Sequence, residues 1–292
     1  MSNKKEKIAL VLSGGGSRGA YEAGVWQALT ELGIDIDIVT GASVGAINGA
    51  MVCQGDLDLT VSLWREIETH MIFDVPKDSQ PIDYAKEIII NGGAGVSGLK
   101  ELLEKYIDEE KIRRSPVEYG LVIVERSNLK PHYFFKKDIP KGRLVDYILA
   151  SSSVFPAIHP YEIDGVEYID GGYADVLPIG LALKKNPAKV IAVKLNAIGI
   201  LRYDAIRKTR HLKTIESAWN LGSTLVFDPR NSRRIMQLGY LDTMKAFKIL
   251  DGKYFTFAKR DFSKWDLMLA DACAHILGLD PTIIYSKASF IP

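Results

Sequence analysis

The 292-residue sequence has little of several things, and each shortage closes off a class of protein. Two cysteines, Cys53 and Cys273, are too few for a disulfide scaffold, and no C-x-x-C spacing offers a metal site. A net charge of +1 leaves no global field to draw a nucleic acid, so none is expected as a partner. No apolar run approaches the roughly 20 residues of a membrane-spanning helix. The run Ile8–Leu12, behind a polar stretch over residues 1–7, is too short for the core of a signal peptide. The expectation is a cytoplasmic protein, or one exported by a route that leaves no readable signal. No internal repeat or low-complexity tract is present, and 47% hydrophobic with 25% charged residues is ordinary for a globular chain.

What is present reads as alternating strands and helices. Ile8–Leu12 is continuously apolar and soon followed by glycines, as buried parallel strands are. Residues 20–32 carry apolar side chains at helical spacing up to Gly33. Residues 34–39 form a second strand-like run, and an apolar helix follows. A β-α-β-α start implies a right-handed crossover and a parallel sheet. Further on, 56–71, 98–106 and 144–153 read as helices, 120–124 and 132–135 as a hairpin, and 166–169 and 190–193 as strands. Residues 72–97, rich in glycine with Pro76 and Pro81, read as a lid or a plain surface connection. Residues 202–225 read as a basic amphipathic helix with Ile206, Leu212, Ile215 and Trp219 on its apolar side; 265–277 is helical again. The basic stretch suits either a solvated helix packed on the domain or an interfacial helix facing anionic lipid.

The chain is organised around Gly41-Ala42-Ser43-Val44-Gly45, where the second strand turns into the second helix. A serine between two glycines at such a turn has the layout of a nucleophile elbow. The glycines leave room where neighbouring chain must come close, and a helix starting near Val44 sets free N–H groups beside the serine.

Gly14, Gly16 and Gly19 fit G-x-G-x-x-G between a strand and a helix, a dinucleotide-binding spacing. That pattern wants an acid at the carboxyl end of the second strand, where this chain has Thr40 and the elbow; Asp35 and Asp37 lie at its beginning. An oxidoreductase with an NADP-type site using Arg18 stays open. The other reading places the main-chain N–H groups of Gly14, Gly15, Gly16, Ser17, Arg18 and Gly19 as an oxyanion hole facing Ser43, with Arg18 adding charge. It explains two motifs with one chemistry.

A serine nucleophile needs a base. Of five histidines only His159 has a suggestive context, between Ile158 and Pro160. Asp170, followed by Gly171 and Gly172, ends a strand at a tight turn that exposes a carboxylate. Ser151, Ser152 and Ser153 read as packing and loop hydrogen bonding.

Together these residues resemble the patatin-like phospholipases. Gly14 to Gly19 matches that family's G-G-G-x-R/K-G loop, Gly41 to Gly45 its G-x-S-x-G elbow, and Asp170-Gly171-Gly172 its D-G-G/A motif. Residues 150–156 resemble its serine-rich, proline-ended segment. The resemblance covers about residues 6–196 and fades beyond; the hairpin near 127–131 looks shorter than in the family. It implies an α/β fold, a three-layer α/β/α sandwich with a mainly parallel sheet. Residues 6–196 are then the catalytic core, and 197–292 a mostly helical extension packed on the same domain. It further implies a calcium-independent lipid acyl hydrolase with a Ser43–Asp170 dyad, no metal and no cofactor. The expected partner is a lipid or other acyl ester, met through peripheral contact with a membrane surface. A non-catalytic lipid-binding relative is the further alternative; retention of Ser43, Asp170 and the glycine loop argues against it.

Overall fold

A computed structural model describes residues 6–75 and 93–290. Of the stretch 72–97, residues 76–92 lie outside the described residues, and the reading of a lid there goes untested.

The centre of the fold is β1 (Ile8–Leu12), flanked in parallel by β2 (Ile38–Gly41) and β7 (Lys189–Lys194). Its side chains alternate between two buried faces. Leu10 and Leu12 enter one apolar cluster, Ala9 and Val11 another. A strand buried on both faces has to be apolar throughout, which is why this run shows no polar alternation. The first face is covered by α1 (Gly19–Glu31), α2 (Val44–Gln54), α3 (Leu57–Glu66) and α10 (Pro229–Ala246). The second is covered by α8 (Ile179–Leu183) and α9 (Tyr203–Lys208). The result is the expected α/β/α sandwich. Each Leu, Ile or Val buried fully in these layers stabilises by about 1.5–3 kcal/mol.

The sheet has eight strands in the order β5-β6-β3-β2-β1-β7-β8, with β4 on β3. These are β3 (Glu118–Glu125), β4 (Lys130–Phe135), β5 (Tyr161–Ile163), β6 (Val166–Asp170) and β8 (Leu212–Glu216). The middle is parallel and the β4–β5–β6 side antiparallel.

One pairing detail places the site. β4 occupies one edge of β3 over residues 120–125. Both β2, paired to β3 over 118–121, and β6, paired over 123–125, therefore share its other edge. They run towards each other. β2 ends at Gly41 opposite Leu121, and β6 ends at Asp170 opposite Ile123. Two residue steps along β3, or about 7 Å, separate the two strand ends, with Val122 between them.

Helices α4 (Ser97–Tyr106), α5 (Glu109–Arg114), α6 (Leu144–Ser151) and α7 (Gly172–Asp175) complete the region before β7. Beyond β8, α10 packs on α1 so closely that a Cβ at Gly24 would overlap the Met236 carbonyl, and one at Gly239 the Tyr21 carbonyl. The last elements are β9 (Thr256–Phe257), α11 (Lys264–Ile276), β10 (Ile284–Tyr285) and α12 (Lys287–Phe290). They enclose a small cluster of Phe255, Phe257, Ala270 and Ala274.

Three expectations shift. The second strand is not 34–39 but Ile38–Gly41; just before it, Asp37 accepts the Ile8 amide on its carboxylate at 2.9 Å. The helix expected over 56–71 stops at Glu66, giving way to a short 3-10 turn at Thr69–Met71. The single basic helix over 202–225 does not form. Only Tyr203–Lys208 is helical there, Leu212–Glu216 is the edge strand β8, and Trp219 sits in the loop beyond it. Within 197–292, therefore, helices share the region with a strand of the main sheet.

Candidate active site

Ser43 stands at the turn from β2 into α2 with φ 55° and ψ −130°. A non-glycine residue in that region carries strain on the order of 1–3 kcal/mol, held by what surrounds it. Here the surroundings are crowded backbone. A Cβ on Gly41 would overlap the Gly45 carbonyl, and one on Gly45 would come within 2.5 Å of the Leu12 carbonyl. Glycine is required at both, and Ala42 and Val44 are buried between.

The serine run fixes the same place from the other side. Val122 lies between the meeting ends of β2 and β6, and its carbonyl accepts the Ser151 hydroxyl at 2.8 Å. Ser151 Oγ in turn accepts the Ser43 amide at 3.1 Å. The Ser153 carbonyl accepts the Asp170 amide, and the Ser151 carbonyl that of Gly171. Ser152 and Ser153 hydroxyls bond back to Ile148 and Leu149 carbonyls. These serines are structural, as read, but Ser151 bridges the elbow to the strand gap, which the sequence reading missed.

Asp170 is buried and faces Ser43. Burial raises its carboxyl to about 6, against the opposing pull of the Ser43 hydroxyl and of the Gly172 amide, which donates to Oδ1 at 2.7 Å. Gly171 is forced, since a Cβ there would overlap the Val122 carbonyl. His159 is exposed, and no histidine is among the described residues lining the cavity.

The glycine loop divides its labour. The amide of Gly14 donates to Val176 O, that of Ser17 to Thr224 O and that of Arg18 to Gly15 O. Gly16 has φ +55°. The N–H groups of Gly15 and Gly16 have no partner among the described residues, and both glycines line the cavity beside Ser43. Arg18 does not line it. Its guanidinium donates to the carbonyls of Gly222, Leu195 and Asn196, tying later chain to the loop.

Behind the loop lies a buried network. Glu22 accepts the Ser13 amide at 2.8 Å and the Asn48 side-chain amide at 2.9 Å. Asn48 also donates to Gly19 O and accepts Trp64 Nε1–H. Burial pushes the Glu22 carboxyl up to about 8. A glutamate inside an apolar helical run was the available signal for this network, and the sequence reading passed over it.

Ser43, Asp170, Gly15 and Gly16 open onto a cavity of about 650 Å³. Most of its wall is apolar: α2 and α3 on one side, α4 on another, and Phe155, Ile198, Ile200 and Phe227 nearer the loops. Ile198 is fully exposed, and Ile200 and Tyr203 are more than half exposed. Arg207, Lys208 and Arg210 follow them on the surface. Among the described residues, no group of three or more His, Cys, Asp or Glu could hold a metal, and no helix is long and apolar enough to cross a membrane.

Comparison with known proteins bears on the family of the chain. The family model for patatin-like phospholipase matches residues 10–183. An uncharacterized NTE family protein of Mycobacterium tuberculosis is 30% identical over 193 residues, covering 65% of this chain and 49% of that protein. The rat patatin-like phospholipase domain-containing protein 7 is 28% identical over 198 residues, covering 65% of this chain and 14% of its own. Lysophospholipase NTE1 of Candida albicans is 25% identical over 290 residues, covering 89% and 19%. The matches thus span about half the length of these curated relatives, or less. Among solved structures, VipD from Legionella pneumophila aligns with a TM-score of 0.47 at 13% identity, covering 83% of this chain and 67% of that one. With the family model spanning well over half of the sequence, the chain belongs to the patatin-like phospholipase family.

Proposed function

We propose that the protein is a serine lipid acyl hydrolase of the phospholipase A or lysophospholipase type, cleaving carboxylic esters through a Ser43–Asp170 dyad. One observation carries the reading: a strained serine at a helix N-terminus faces a buried carboxyl whose pKa is raised to about 6, both lining an apolar cavity. A carboxylate with that pKa is ionised at neutral pH yet basic enough to take a proton. Ser43 Oγ attacks the ester carbonyl carbon while its proton passes to Asp170. The carbonyl oxygen becomes an oxyanion held by the N–H groups of Gly15 and Gly16. Collapse expels the alcohol, which takes the proton from Asp170, and leaves an acyl-serine. Asp170 then deprotonates a water that attacks the acyl carbon, and Ser43 leaves with the returned proton.

No step calls on a cofactor or calcium, and EDTA should leave turnover intact. The exposed Ile198 and Ile200 at the mouth, followed along the chain by the exposed Tyr203, Arg207, Lys208 and Arg210, suit peripheral contact with an anionic lipid surface. The dinucleotide reading is disfavoured because Arg18 and the amides of Gly14, Ser17 and Arg18 are already engaged by protein carbonyls. A fluorophosphonate should label Ser43, read by mass spectrometry of the digested protein. Labelling confined to another serine, or full ester turnover in Ser43→Ala, would remove the proposal.

A further inference from the structure

The cavity has a direction. From Ser43 inward, away from the mouth at Ile198 and Ile200, four residues of α2 line it in sequence: Val44, Ile47, Asn48 and Met51. Their spacing of three and four residues keeps them on one helix face. The cavity therefore runs along the axis of α2, away from the nucleophile. Leu63 and Trp64 of α3 and Leu99, Leu102 and Leu103 of α4 form the facing walls.

The far end is also defined. Gln54, the last residue of α2, donates to the Tyr106 carbonyl at 3.0 Å and accepts the Asp108 amide at 2.8 Å. Tyr106 and Ile107, both lining the cavity, are thereby pinned level with the carboxyl end of α2.

On the proposed hydrolase reading, we infer that α2 is a ruler for the acyl chain of the substrate and that Met51 reads its length. Eight residues from Ser43 to Met51 at a helical rise of about 1.5 Å place Met51 about 12 Å from the nucleophile. The Gln54–Tyr106 end is about 16 Å away by the same rise. An extended acyl chain advances about 1.25 Å per carbon, given C–C bonds of about 1.5 Å at tetrahedral angles. About ten carbons reach Met51, and about thirteen reach the end. The volume is ample for such a chain: 650 Å³ holds roughly twenty groups the size of a water molecule or methylene, at about 30 Å³ each. The substrate class is an ester whose cleaved part is one unbranched fatty acyl chain of about ten to thirteen carbons, its alcohol part lying towards the mouth.

The residues along the path suit this. Asn48 turns both ends of its amide into the Glu22–Gly19–Trp64 network, so it presents no free polar group to a chain. Met51 has no branched carbon and three rotatable bonds, so it fills the space beside a chain end and is readily replaced by larger or smaller side chains.

The test is a series of p-nitrophenyl esters from butyrate to palmitate, each kept below its micelle concentration. It is run on the wild type, Met51→Trp and Met51→Ala. In the wild type, kcat/KM should rise about twofold to fourfold per methylene, as burial of each predicts, and flatten between ten and thirteen carbons. In Met51→Trp the break should move to shorter chains, with the decanoate-to-butyrate ratio of kcat/KM falling at least about tenfold. In Met51→Ala it should move to longer ones. If the break stands at the same length in all three proteins, the ruler is wrong. Should Met51→Trp fail to fold, Met51→Ala alone decides, and an unmoved break there overturns the inference. Absence of hydrolysis at every length in the wild type removes the hydrolase reading itself, an outcome distinct from hydrolysis with an unmoved break.

Discussion

The Ser151 hydroxyl accepts the amide of Ser43 at 3.1 Å, and it is free to do so because its own proton goes to the Val122 carbonyl. One buried hydroxyl thus serves the nucleophile turn and the gap where β2 and β6 meet. Ser151→Ala leaves a buried donor and a buried acceptor without a partner. Each costs about 1–3 kcal/mol. A urea melt should register a loss of that order. Ester turnover should fall at least about tenfold through kcat with KM little changed, since the elbow geometry matters most in the transition state. Unaltered kcat in a stable Ser151→Ala would show that the elbow holds itself.

Asp170 gives the expected pH dependence. Burial pushes its carboxyl up to about 6 in the folded protein, and the proposed mechanism needs it ionised. The kcat/KM of ester hydrolysis should rise with pH and level off above about 6. The stability consequence has the opposite sign. A carboxyl raised in the folded state contributes most below the unfolded carboxylate range of about 4, and loses that contribution as pH rises through 6. Asp170→Asn should therefore be inactive yet more stable than the wild type at pH 8. The gap should close near pH 3.5. Thermal melts of both proteins across that range check it.

The elbow, the glycine loop and the Asp170 turn were legible in the sequence because glycine punctuation is local: each motif states its own backbone requirement. The order β1-α1-β2-α2 followed from apolar periodicity for the same reason. What could not be read depends on partners distant in sequence. Ser151 matters only because β2 and β6 share one edge of β3. Strand β8 was hidden because Ile206, Leu212, Ile215 and Trp219 fall at helical spacing. Pairing with β7, including Lys194 to Glu216 at 2.8 Å, decides its conformation instead. Helix α10 was passed over although Asp228 and Pro229 carry an N-cap and a first-turn proline.

Gly16→Ala should be severe for two reasons that act together. Its φ of +55° disfavours a side chain, and a Cβ would overlap the Thr224 carbonyl that accepts the Ser17 amide. The loop must shift, moving the Gly15 and Gly16 N–H groups off the proposed oxyanion position. Loss of one such donor costs about 3 kcal/mol, a hundredfold or more in kcat. Steady-state kinetics on a soluble ester checks it; a drop under about fivefold would take these amides out of the mechanism.

The mouth offers a separate test of the proposed lipid contact. Ile198 is fully exposed, so Ile198→Asp removes little internal packing. It should lower turnover of phospholipid in anionic vesicles about tenfold relative to turnover of a dispersed ester by the same protein. Vesicle flotation should show weaker binding. An unchanged ratio with unchanged flotation would place membrane contact elsewhere.

Glu22 links stability to the glycine loop. Buried beneath it, its carboxyl is held up at about 8, so it is neutral at pH 7 while the unfolded chain is ionised. The stabilisation is complete below the unfolded value of about 4.5 and declines as pH rises through 8. Both its oxygens accept bonds, from the Ser13 amide and from Asn48. Glu22→Gln puts an amide donor against one of those donors. At pH 5 the variant should be less stable than the wild type by about 1–3 kcal/mol, the cost of an unsatisfied buried group. At pH 9, where the wild type has lost its protonated advantage, the difference should shrink or reverse. Because Ser13 precedes the glycine loop directly, kcat should fall with stability at pH 7. Urea melts at the two pH values and one kinetic measurement are enough. A variant equally destabilised at pH 5 and pH 9 would show that Glu22 is not held protonated in the folded protein.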